Sequence, residues 1–185
     1  MPPEAAPNRA ARRAPKPLDK QRLNELALAY LARFATSAAK LEAYLRRKLR
    51  ERGWDGEGDP PVAALVERCI AAGYVDDALY ARSKAASLRR RGYGARRVDQ
   101  SLGAAGIAAD LREELRGSVM EERRAALALA RKRRLGPFAA APVDRLAREK
   151  QVAVLLRAGH RLDIARQVVE AATIAGLETW AEEEH

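Results

Sequence analysis

The chain has 185 residues and a mass of 20.3 kDa, with 35 Lys and Arg against 25 Asp and Glu. Its 40 Ala stand beside ten Val, four Ile and three Thr, too few β-branched side chains for a sheet-rich fold. A single cysteine, Cys69, and two histidines exclude an internal disulfide and a Cys/His zinc site. Ala, Leu, Arg and Glu dominate instead, the composition of packed helices, so the expected fold class is all-α. The net charge of +10 favours polyanionic partners. No apolar run approaches the ~18–20 residues of a membrane span, and the N-terminus lacks a signal-peptide core. A cytoplasmic protein without membrane contact is expected.

Residues 1–17 hold five of the nine prolines and the cations Arg9, Arg12, Arg13 and Lys16. With no large apolar residue to offset ordering entropy, they read as a disordered basic tail. A first helix is predicted over 20–34 from the stripe Leu23, Leu26, Ala27, Tyr30, Leu31 and Phe34. A second follows over 37–52 behind a Ser37 cap, and a third over 60–72 behind Asp59-Pro60. Asp76 or Asp77 opens a fourth, running to about 91; a fifth covers 95–105. Asp110-x-x-Glu113 suggests a capping box for a sixth that extends to Arg134. Pro142 opens a seventh, and Ile164, Ala165, Val168, Val169 and Ala172 mark an eighth. Gly53, Gly73, Gly92, Gly106, Gly136, Gly159 and Gly176 each read as the left-handed residue after a helix. The final residues, 178–185, read as an acidic tail.

An internal repeat emerges when the second helices are superposed. Ser37–Leu45 aligns with Gly94–Leu102 and again with Arg161–Val169, and the preceding Gly92-Tyr93 matches Gly159-His160. The chain is thus expected to be an elongated array of tandem three-helix modules, at 18–73, 74–136 and 137–177.

Gly73-Tyr-Val-Asp-Asp-Ala-Leu-Tyr-Ala-Arg82, followed by Arg91-Gly-Tyr-Gly-Ala-Arg-Arg-Val98, resembles the signature of the RecX family. Ala27, Tyr30, Leu31, Arg33, Ser37 and Leu41 resemble that family's opening helix pair, and the Gly159 turn its last repeat. Ala158-Gly159-His160 departs from the family's preference for a basic residue, Gly and an aromatic. The resemblance implies a bacterial, non-enzymatic modulator that acts as a monomer. Its partner would be the RecA filament on DNA, where it lodges in the helical groove and restrains ATP hydrolysis, strand exchange and filament growth. Contacts to single- and double-stranded DNA would add to that binding.

Three basic clusters are candidate partner or nucleic-acid contacts. The stretch Ala78–Val98 holds Arg82, Lys84, Arg89, Arg90, Arg91, Arg96 and Arg97 without one carboxylate. The second is Arg46, Arg47, Lys48, Arg50 and Arg52; the third is Arg131, Lys132, Arg133 and Arg134. The plainer alternative for each is solvated charge that favours a helix C-terminus. Asp76 and Asp77 read as a cap and a dipole partner. Tyr74, Tyr80 and Tyr93 sit at helix–turn junctions, where aromatics lock packing, and Cys69 lies on an apolar stripe. No phosphate loop, HExxH motif or paired nucleophile is present, so no catalytic residue, metal or cofactor is expected. The rival function is an autonomous helix-turn-helix-like DNA-binding protein reading through Arg96, Arg97, Asp99, Gln100 and Ser101.

Overall fold

In the computed structural model of the chain, residues 16–141 and 144–183 are described. Among them the fold is all-α, with ten α-helices and no strand. Of the tail expected at 1–17, residues 1–15 lie outside the described residues, as does the Pro142 helix start. The helices are α1 (Lys20–Leu31), α2 (Ala38–Arg52), α3 (Val62–Ala71), α4 (Asp77–Arg90) and α5 (Ala95–Gly103). They continue with α6 (Ala109–Glu114), α7 (Val119–Arg133), α8 (Arg145–Arg157), α9 (Leu162–Glu170) and α10 (Ile174–Glu182). A 3-10 turn at Gly136–Phe138 links α7 to α8.

Short polar side chains start most of these helices by accepting otherwise unpaired amides. Asp19 accepts the Arg22 amide at 2.8 Å, Asp76 that of Leu79 at 2.8 Å and Asp144 that of Ala147 at 2.7 Å. Several predicted boundaries shift for identifiable reasons. α1 stops at Leu31, because the chain then turns to bury Thr36 and Ser37. α3 begins at Val62 with Pro61 in the cap position, so Asp59 caps nothing. The long sixth helix is two helices: Gly117 at φ +89 breaks it, and a capping box between Ser118 and Glu121 restarts it as α7. Asp110 lies in the first turn of α6 and is not its cap. Gly176 lies inside α10, capped by Thr173, so Glu178 and Glu182 are helical where the sequence suggested a tail.

Three hydrophobic cores organise the described residues. The first joins α1–α3 through Leu23, Leu41, Leu45, Leu65 and Cys69. The second joins α4–α6 through Ala81, Ala85, Leu88, Val98, Leu102 and Ile107. The third draws Ala126, Leu129 and Leu135 together with Leu155, Ile164, Val168 and Leu177. Each fully buried Leu, Ile or Val contributes about 1.5–3 kcal/mol. α7 therefore packs in the third core, where the sequence reading placed its residues in the second module. The cause is its small-residue stripe: Ala126 and Ala130 are fully buried and let neighbouring helices approach closely.

The first two modules join through polar contacts. Ser37 Oγ donates to the Ala105 carbonyl at 2.5 Å, and Asp77 accepts the Ala38 amide at 2.8 Å. Asp77 thus does more than oppose its own helix dipole. It also closes the N-terminus of α2, 39 residues away.

Candidate partner interface

The cations of the acid-free stretch divide into two kinds. Arg90, Arg91, Arg96 and Arg97 are exposed at the end of α4 and the start of α5, and among the described residues none forms an ion pair. The Arg91 guanidinium lies 5.3 Å from the Tyr93 ring centre, and Arg82 is exposed earlier on α4. Lys84 is half-buried. Arg89 differs altogether. Its side chain is 15% exposed, donates to the Leu115 carbonyl and approaches Glu121 at 3.9 Å. It ties α4 to the α6–α7 turn, a role within the fold.

What aligns the free arginines is a backbone junction. The Gly94 amide donates to the Ala158 carbonyl at 3.0 Å, and the Arg96 amide to the Gly159 carbonyl at 3.3 Å. Gly92 and Gly159 hold φ of +87 and +93, which glycine adopts without a Cβ clash. The two repeat-related turns therefore face each other across the joint between the second and third modules. The α8–α9 turn brings Arg161 to the same cleft as Arg96. This open cleft, of about 840 Å³, is lined by Arg96, Arg112, Arg116, Glu122, Arg161 and Leu162. Burial pushes the Glu122 carboxyl above its ordinary pKa, with Arg161 and Arg116 opposing the shift.

His160 fastens the same joint. It is 4% exposed, its Nε2 lies 3.0 Å from the Gly92 carbonyl, and its Nδ1 has no partner among the described residues. Removal from water lowers its pKa below the usual 6.5, and the bond to Gly92 opposes this only in part. The unfolded chain thus takes up the proton more readily than the folded one. The stability that neutral His160 supplies is complete above 6.5 and is lost as pH falls below it. We predict a lower melting temperature near pH 5 than near pH 7. His160→Gln, which keeps a donor for Gly92, should flatten that difference in thermal melts; an unchanged pH dependence would reject the assignment.

The second cluster is largely compensated, and the third only at Arg131. On α2, Glu42 pairs with Arg46 at 2.6 Å, while Glu51 takes Lys48 at 2.6 Å and Arg47 at 3.6 Å. The Lys48 hydrogen bond holds the Glu51 carboxyl below its ordinary range. Arg52 donates to the Lys16 carbonyl at 2.6 and 2.8 Å, and Arg50 is exposed without an ion pair among the described residues. On α7, Arg131 pairs with Glu178 and Arg124 with Glu182, both acids from α10. Lys132, Arg133 and Arg134 remain exposed, and Arg134 adopts the left-handed conformation that ends the helix. Tyr93 packs against the second and third cores and Tyr80 against the second. Tyr74, expected to lock packing, is 63% exposed.

Over 166 residues the chain is 34% identical to the regulatory protein RecX of Myxococcus xanthus, covering 85% of this chain and 89% of that protein. The chain belongs to the RecX family. A regulatory protein RecX of Deinococcus radiodurans is 42% identical over 102 residues, or 55% of this chain and 46% of that protein. The family's second three-helix domain matches residues 76–115, which places Arg82 through Arg97 inside that RecX domain. The crystal structure of RecX from Lactobacillus salivarius superposes with a TM-score of 0.64 at 19% identity. That likeness covers 86% of this chain and 96% of that one. It shows that the RecX fold is shared. The named relatives are regulatory proteins, and this chain is a regulator of the RecX type.

The departure of Ala158-Gly159-His160 from the RecX pattern has a structural account. The Ala158 carbonyl and the His160 ring both serve the joint to the Gly92 turn. Sequence reasoning missed Arg161 as a neighbour of the basic stretch. The signal was the matched Gly92 and Gly159 turns, taken there as equivalent positions and not as contacting ones. Among the described residues, no group of three or more His, Cys, Asp or Glu is placed to hold a metal ion. No helix among them is long and apolar enough to cross a membrane.

Proposed function

We propose that this protein is a non-enzymatic regulator of the RecA recombinase that binds the RecA–DNA filament and restrains its ATP hydrolysis and strand exchange. The observation that carries the reading is that Arg90, Arg91, Arg96 and Arg97 are exposed together and, among the described residues, form no ion pair. They lie across a joint that hydrogen bonds hold in one geometry. Such a surface suits a polyanionic groove, because no internal carboxylate has to be displaced before it binds. Tandem modules suit a partner that repeats along a filament. The protein acts as a cytoplasmic monomer, and single- or double-stranded DNA within the filament contributes phosphates to the contact.

The test is ATP hydrolysis by RecA preassembled on single-stranded DNA, titrated with this protein. Inhibition at well below one copy per RecA is expected. No inhibition even at excess would overturn the proposal.

Exposed Arg96, Arg97 and Gln100 on α5 favour a second reading, an autonomous duplex reader. Asp99 is less suited to it, being held by Arg112 at 2.5 Å. A preference for one duplex sequence over others at fixed salt would support this reading, and equal affinity for all would reject it.

A further inference from the structure

The first module carries an aromatic and cationic strip that the joint between the second and third modules does not use. Phe34, just past the end of α1, is 53% exposed. Its ring centre lies 5.2 Å from that of Tyr30, which in turn stacks on Tyr44 of α2 at 4.2 Å and 17°. The row continues in cations. Arg47 lies 5.6 Å and Lys48 6.0 Å from the Tyr44 ring centre. Lys40, one turn earlier on α2, lies 5.7 Å from the Tyr80 ring centre and donates to its hydroxyl at 3.2 Å. Lys40, Tyr44, Arg47 and Lys48 share one face of α2 by their spacing of four and three to four residues.

Tyr30 and Tyr44 pack against the first core, so they fix the platform on which Phe34 rests. Phe34 gains little by this arrangement in the protein alone, since burial of its ring would stabilise the fold more. From this placement we infer that Phe34, backed by Tyr30 and Tyr44, is a stacking platform for unpaired nucleobases. Lys40, Arg47 and Lys48 take the flanking phosphates.

The occupant is single-stranded nucleic acid for two reasons. Within α2 the six cations Lys40, Arg46, Arg47, Lys48, Arg50 and Arg52 outnumber Glu42 and Glu51, which pair with Arg46 and with Lys48 and Arg47 at the exposed surface, so the helix keeps a net positive charge that is complementary to a polyanion. A held aromatic face beside cations suits bases whose own faces are free, whereas a duplex keeps its bases stacked on one another.

The experiment measures fluorescence anisotropy of a labelled oligothymidylate and of an abasic oligomer of equal length, at one salt concentration, with RecA absent. The intact chain should prefer the oligothymidylate by about tenfold, the range of one stacked base. Phe34→Ala should lose that preference while binding the abasic oligomer as before, with unchanged circular dichroism. Phe34→Trp should retain the preference, and its added emission should be quenched by oligothymidylate and not by the abasic strand. Equal affinity of the intact chain for both oligomers, or an unchanged preference in folded Phe34→Ala, would overturn the inference. Because RecA takes no part, either outcome leaves the filament reading to its own test.

Discussion

Reversal of Arg90, Arg91, Arg96 and Arg97 to Glu weakens binding to a preassembled RecA filament by more than about tenfold, the effect of about 1.4 kcal/mol. The side chains are exposed and, among the described residues, free of ion pairs, so their charge is available to a partner and contributes little to the fold. Helicity and melting temperature should stay at the values of the unaltered chain. The loss should shrink as salt is raised, because exposed charges are screened over about 8–10 Å at ordinary ionic strength. Arg89→Ala provides the contrast. Removal of a mostly buried guanidinium that donates to the Leu115 carbonyl leaves an orphaned acceptor and lowers stability by about 1–3 kcal/mol. Urea titration and filament binding together separate the two kinds of arginine. Unchanged affinity in the folded fourfold variant would show that the partner meets another face.

Gly94→Ala uncouples the third module from the second. The residue sits at φ −75, where alanine is unstrained, so backbone preference is not at issue. The difficulty is space: an added methyl would run into the Gly159 backbone and the His160 amide, neither of which can rotate away as a side chain would. The Gly94 amide would also be pushed from the Ala158 carbonyl. Overpacking against rigid backbone, with that hydrogen bond lost, costs about 3 kcal/mol. The two tryptophans report on the two ends of the chain. Trp54 packs against the first core and Trp180 against the third. In Trp54→Phe and Trp180→Phe backgrounds, the Gly94→Ala change should shift the urea transition seen by Trp180 and leave that seen by Trp54. Equal shifts of both would mean that the whole chain unfolds as one unit, and the absence of any shift would show that the joint tolerates a methyl.

Most of the helices and much of each core were legible because their signals are local. The stripe Leu23, Ala27 on α1 and Leu41, Leu45 on α2 follows helical spacing, and all four residues are buried. Asp76 announced its cap, and Cys69 its burial. Errors arose where two local signals competed. The apolar period after Asp110 continued smoothly into the next helix, and the break lay in Gly117 and the Ser118–Glu121 capping box. A run of glutamates near the end suggested a tail, although Leu177, nearly fully buried, and Trp180 anchor α10 against the third core.

Composition, periodicity and a contiguous motif require no knowledge of distant neighbours, so the all-α class, the repeated turn and the family are legible before the chain folds. Tertiary structure decided which cations are free. Arg131 meets Glu178 across 47 residues of chain, and Arg89 is claimed by Leu115, whereas Arg96 and Arg97 are exposed and form no ion pair among the described residues. A guanidinium is available to a partner only when no closer acceptor has been folded onto it. That depends on Coulomb attraction and hydrogen bonding at a few ångströms, and those separations exist only after the modules have packed.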